Sequence, residues 1–180
     1  MNFNYIVPDL HQIDCIEFDI LILSFFQEEK PVKGVAGLAD WRLNGKINRL
    51  IKSGNLSGRF RESMLMPSSG RLPCRRLCVF GLGGAGEFNQ PRIREASWFI
   101  MDTLRRLQTE SWAMALPGSF MQGASFRMRA EILLEEYMRV FSADRQLPEA
   151  RVFLIEPQNQ HKELMDVVGY FSRRAKRLEK

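Results

Sequence analysis

Residues Ile16 to Phe26 form a near-continuous apolar run, rich in Ile, Leu and Phe and broken only by Glu17, Asp19 and Ser24. A strand with one wet face would alternate apolar and polar residues, so this pattern belongs to a strand covered on both sides, in the middle of a sheet. The longest apolar run, Ile20 to Phe26 and broken by Ser24, is far below the roughly 20 apolar residues that a membrane-crossing helix needs. A chain of 180 residues that is 45% hydrophobic is long enough to build one core without staples or metals, and a single domain over 1–180 is expected.

The rest of the chain supplies layers for such a sheet. After a polar break at 27–33, Val35, Leu38, Leu43, Ile47, Leu50 and Ile51 recur at helical spacing, with Gly54 placed to end the helix. Glu62–Met66 and Arg76–Phe80 read as strands around the turn-rich Pro67–Arg71. Pro91 opens a helix with Ile93, Ala96, Ile100, Leu104 and Leu107 on one side, and Trp112–Leu116 follows as a strand. A third helix carries Ala130, Leu133, Leu134, Tyr137, Met138 and Phe141, Val152–Ile155 is another strand, and a final helix spans about 160–178. Tyr5–Val7 adds an edge strand. Strand and helix alternate from Arg76 onward, which requires a largely parallel sheet with helices on its faces.

Composition narrows the functional classes. Lys and Arg exceed Asp and Glu by 26 to 21, with both signs mixed along most of the chain. The end is one-sided, with Arg173, Arg174, Lys176, Arg177 and Lys180 against Glu179. Basic residues in a last helical turn suit the negative end of the helix dipole, and contact with nucleic acid is the lesser reading of them. Cys15, Cys74 and Cys78 form an odd, sparse set, which fits reduced thiols in a cytoplasm better than a secreted disulfide framework. The first residues carry Asp9, His11 and Asp14 in place of a basic leader, so neither a signal peptide nor a membrane segment is expected.

Gly81-Leu-Gly83-Gly84-Ala-Gly86 satisfies G-x-G-x-x-G after a strand. The helix opens only near Pro91, and the next strand ends Ala115-Leu116-Pro117-Gly118 with no acid for a ribose hydroxyl, so a dinucleotide fingerprint is not expected. The glycines could instead expose backbone N–H groups to a phosphate or carboxylate, with Arg92 and Arg94 in the first helical turn as its counter-charges. A second loop, Pro117–Ser125, offers Gly118, Ser119, Gln122 and Ser125 at the same sheet edge if its strand runs parallel to the first as its neighbour. The candidate ligand residues are therefore Gly81, Gly83, Gly84, Gly86, Arg92, Arg94, Gly118 and Ser119. Cys74 and Cys78 lack the further ligands zinc wants, no nucleophile motif surrounds His11 or His161, and no catalytic residue, metal or cofactor is expected. Asp40-Trp41 reads as structural, with Asp40 satisfying a nearby group and Trp41 covering the sheet.

Four segments together carry a family resemblance: Phe18–Phe26, Gly37-Leu-Ala-Asp-Trp-Arg-Leu-Asn-Gly45, Ser53-Gly-Asn-Leu-Ser-Gly58 and Val79-Phe-Gly-Leu-Gly83. In that order they resemble the N-terminal domain of the leucyl/cytosol aminopeptidases. The resemblance covers most of residues 1–157 and implies a three-layer α/β/α, macrodomain-like fold with a mixed, largely parallel sheet of about six strands. The family's catalytic half, with its two-metal Asp/Glu/Lys site and Asn-Thr-Asp-Ala-Glu-Gly-Arg-Leu stretch, has no counterpart in these 180 residues. The resemblance thus implies a non-catalytic binding or assembly domain whose partner is itself or another protein, such as a separate catalytic subunit. A macrodomain-like binder or processor of ADP-ribose or a related nucleotide at Gly81–Gly86 is the rival, although no Asn-Ala-Ala-Asn-like segment is present.

Overall fold

The computed structural model describes residues 2–119, 124–141 and 150–178, with side chains described as far as residue 175. Six strands form one sheet: β1 (Asn2–Ile6), β2 (Phe18–Phe25), β3 (Ser63–Pro67), β4 (Cys74–Gly81), β5 (Ser111–Met114) and β6 (Arg151–Ile155). Their order across the sheet is β1-β6-β5-β2-β4-β3, and every pair is parallel except the edge pair β3–β4. The apolar run at 16–26 is indeed a central strand, paired on one side with β4 and on the other with β5.

Alternate residues of each central strand enter opposite cores. Ile20 and Ile22, Cys78 and Phe80, Trp112 and Met114, and Val152 and Leu154 pack on one face beneath α4 (Gln90–Arg106), α5 (Phe126–Phe141) and α6 (His161–Leu178). Leu21 and Leu23, Leu77 and Val79, Ala113, Phe153 and Ile155 pack on the other beneath α1 (Leu10–Asp14), α2 (Gly34–Arg42) and α3 (Lys46–Lys52). This is the three-layer α/β/α arrangement, and it explains why the strands lack a polar face.

Two sequence expectations are corrected. The single helix expected over 35–51 is two, because the chain breaks at Asn44 and Gly45, with φ of 53° and 74°. Gly54 does end the second helix: its N–H bonds Ile51 O at 3.1 Å while Asn55 N–H bonds Leu50 O at 3.0 Å, the paired closure that a left-handed glycine permits. Trp41 does not cover the sheet. It is 66% exposed, with the Arg42 guanidinium 5.3 Å from its ring centre.

Its neighbour Asp40 is buried and performs the capping that the break makes necessary. Asp40 Oδ1 accepts the N–H groups of Ile47 at 2.6 Å and Asn48 at 3.3 Å, and Oδ2 accepts the Asn48 amide. Helix α3 begins at a left-handed Gly45 with no side-chain cap of its own, so the preceding helix supplies it. Asp40→Ala leaves those donors buried and unpaired and is expected to cost about 2 kcal/mol, read as a lower urea midpoint at unchanged slope.

Candidate functional site

The parallel strands deliver their carboxyl ends to one edge of the sheet, where a cleft of about 230 Å³ opens. Its walls come from the turn after β2 and the start of α2 (Phe26, Glu29, Lys33 to Ala36), the exit of β5 (Ala115, Gly118, Ser119) and the exit of β6 (Ile155, Glu156, Pro157). Open α/β sheets place ligands at such an edge. The loops after β4 and β5 share it, as the sequence suggested, although their strands are not neighbours: β2 lies between them.

Gly118 and Ser119 line the cleft. Gly118 adopts a φ of 79°, and a Cβ there would approach the Phe88 ring to 2.7 Å, so glycine is required on both counts. Ser119 Oγ donates to Leu116 O at 2.9 Å. Gln122 lies outside the described residues.

The glycine-rich loop is placed differently, with Leu82 as its contribution to the cleft lining. Gly81 N–H donates to Glu62 O at 2.9 Å, Leu82 N–H to Phe25 O at 3.0 Å and Gly83 N–H to Gly58 O at 2.8 Å. These amides knit β4 to the 58–62 segment and to the end of β2, so they are not open to a ligand. Ala85 N–H does meet an anion, but the anion is the chain's own Glu28 carboxylate, at 3.2 and 3.3 Å, beside Gly84. Gly86 is exposed, with open space around it.

Arg92 and Arg94 turn elsewhere. The Arg92 guanidinium lies 4.3 Å from the Phe60 ring centre and 3.6 Å from Glu95, while Arg94 bridges α4 to α5 through Glu135 at 2.7 Å and Glu136 at 2.9 Å. Cys74 and Cys78 are buried, and burial pushes their thiols up to about 11 and about 12, where they are unreactive as nucleophiles.

Two buried charged residues of the cleft stand outside the sequence-derived candidates. Arg129, from α5, is 5% exposed; its Nη1 donates to Pro117 O at 3.4 Å, and its buried Nε has no hydrogen-bond partner among the described residues. Glu156, just past β6, is 2% exposed and accepts the Leu116 N–H at 2.6 Å. Burial raises the Glu156 carboxyl to about 7, with the Leu116 N–H and Arg129 pulling it down, while burial lowers the Arg129 guanidinium from its ordinary value with Glu156 opposing. A signal did exist: Arg129 interrupts an apolar helical stripe between Phe126 and Ala130, and Glu156 is an acid at the carboxyl end of a buried strand.

The raised Glu156 carboxyl has a thermodynamic consequence. The folded state holds this proton more tightly than the unfolded chain, so the stability it contributes is full below about pH 4.5 and is lost as pH rises towards about 7. The loss amounts to up to about 3 kcal/mol. Urea titrations of the wild type and Glu156→Gln at pH 4.5 and 7.5 are expected to show a smaller pH-dependent fall in the variant, which stays neutral throughout.

Six strands in this order, helices on both faces and a cleft at the carboxyl edge define a macrodomain-like α/β/α protein. Solved macrodomains superpose on it: the Trypanosoma brucei macrodomain in complex with ADP-ribose matches at a TM-score of 0.72 and 15% identity, over 93% of this chain and 69% of that one. A mutant of tomato leucine aminopeptidase matches at 0.59 and 15% identity, over 96% of this chain but 36% of that chain. At the level of sequence, the family described as "Cytosol aminopeptidase family, N-terminal domain" matches residues 22–136, and the chain belongs to that family. The probable cytosol aminopeptidase of Thermosynechococcus vestitus is 30% identical over 145 residues, covering 78% of this chain and 29% of that protein. The cytosol aminopeptidase of Haemophilus influenzae strain Rd is 26% identical over 91 residues, 51% of this chain and 18% of its own length. The chain therefore spans less than a third of these relatives. Among the described residues, no helix is long and apolar enough to cross a membrane.

Proposed function

We propose that this chain is a non-catalytic binding and assembly domain that associates with itself or with another protein. The observation that carries the reading is the extent of the family match, which falls on an N-terminal domain alone. The last helix uses Leu164, Val167, Val168 and Phe171 within the core but leaves Met165 and Tyr170 exposed. The edge strand β3 is a second candidate: among the described strands it pairs with β4 alone, and it presents Leu65 at 47% exposure. Unpaired strand edges with an apolar residue favour pairing with another chain. Light scattering across a concentration series should show an oligomer that Leu65→Lys shifts towards monomer. A protein that stays monomeric at every concentration and captures no separate aminopeptidase subunit contradicts the reading.

The cleft supports a second reading, binding of a small ligand at the carboxyl edge of the sheet. The specific observation favouring it is the pair of buried charges, Arg129 and Glu156, at a cavity of about 230 Å³. The printed descriptions of two similar structures name ADP and ADP-ribose as their ligands. Gly118 and Ser119 stay in this proposal as cleft residues, whereas Gly81, Gly83, Gly84, Gly86, Arg92 and Arg94 would act only by holding the neighbouring wall. Thermal shifts with ADP-ribose, AMP and phosphate test the nucleotide form of the reading.

A further inference from the structure

The charges of the cleft do not match a nucleotide diphosphate. Its lining holds two acids, Glu29 and Glu156, and two bases, Lys33 and Arg129, set among the apolar Ile22, Val35, Leu82 and Ile155. A pyrophosphate would share the cleft with these two acids, and the nearby Ala85 N–H that could receive a phosphate already holds Glu28. A volume of about 230 Å³ also falls under the roughly 300–1,000 Å³ of sites for larger ligands. Balanced charges on a largely apolar wall suit a small ligand that is neutral overall but carries one charge of each sign.

We infer that the cleft is a site for a free α-amino acid with a branched apolar side chain, bound as the zwitterion, its carboxylate on Arg129 and its ammonium on Glu29. Arg129 suits the carboxylate because a guanidinium recognises that group through paired N–H donors, and its described hydrogen bonding is a single long contact to Pro117 O at 3.4 Å. Glu156 remains the counter-charge of Arg129 and the acceptor of the Leu116 N–H. Glu29, half-buried, also lines the cleft; burial raises its carboxyl, with Lys33 and the Phe26 and Lys33 backbone opposing and Glu28 adding to the rise, so a ligand ammonium would supply the cation that its charged form lacks. Ile22, Val35 and Ile155 supply the surface for a branched side chain. This inference rests on the second reading above, that the cleft is a ligand site.

The test is a thermal-shift titration of the whole chain with four probes: L-leucine, isoamylamine, 4-methylpentanoate and ADP-ribose. The amine and the acid each keep the side chain and one charged end. L-leucine near 100 times its Kd should raise Tm by about 5–10 °C, with neither single-charge analogue doing so at the same concentration. Glu29→Gln and Arg129→Lys should each raise the leucine concentration for half-maximal shift about tenfold or more; if the buried Arg129 variant does not fold, the half-exposed Glu29 variant decides. A shift with ADP-ribose but none with leucine overturns the amino-acid inference and leaves the cleft reading standing. Silence from all four probes overturns both. A leucine response matched by both analogues, or unchanged in Glu29→Gln, sinks the zwitterion assignment.

Discussion

Gly81→Ala is expected to destabilise the domain by about 4 kcal/mol or more, a drop in Tm of roughly 8–16 °C for a chain of this size. A Cβ at Gly81 would lie 2.1 Å from Arg59 O and 2.5 Å from Gly58 C. Both are backbone atoms of a segment that is itself pinned: Glu62 closes the turn by accepting the Ser57 and Gly58 N–H groups at 2.8 and 2.6 Å. No side chain can swing away, so strand and turn must separate, and the Gly81 N–H to Glu62 O bond at 2.9 Å is lost with them. Gly86, five residues along in the same motif, has nothing within 4 Å of a built Cβ and no left-handed φ; Gly86→Ala should fall within about 0.5 kcal/mol of wild type. Equal effects at the two positions would refute close approach as the reason for Gly81.

Trp112→Ala should cost about 3–5 kcal/mol. Trp112 is fully buried in the middle of β5, stacked on Phe141 with ring centres 5.4 Å apart and tilted against Tyr137 at 6.3 Å. Removing the indole takes the floor from under α5, the helix that carries Arg129 to the cleft. Trp112→Phe separates volume from polarity. The indole N–H is buried without a hydrogen-bond partner among the described residues, so phenylalanine keeps most of the packing while removing an unpaired donor, and a cost of about 1–2 kcal/mol is expected. Denaturant midpoints for the two variants provide the check, and near-equal losses would mean that the indole N–H has a partner.

Asp40-Trp41 shows how far local reading reaches. A structural role for the dipeptide was legible, since an acid next to a helix break can satisfy freed N–H groups. Which of the two residues faced inward was not, because the direction of α2 changes at Asn44–Gly45, where two successive left-handed residues end one helix and start the next. The glycine-rich loop is similar. Its composition says that side chains are excluded, but not whether the excluded space belongs to a ligand or, as at Gly81, to another stretch of backbone.

The sequence by itself determined the layers: a strand without a polar face must be covered on both sides, and helical stripes at 3.6-residue spacing supply the cover. The alternation of β2, β4, β5 and β6 with helices followed from the same periodicities. Only the tertiary structure decided that β2 inserts between β4 and β5, which gathers residues 26–36, 115–119 and 155–157 around one cleft. It also placed Arg129 and Glu156 close enough to act on each other's charge and took up the N–H groups of Gly81, Leu82, Gly83 and Ala85 internally. The reason is physical. Periodicity is a property of neighbouring residues and can be read along the chain, whereas strand order and charge pairing depend on surfaces brought together across tens of residues.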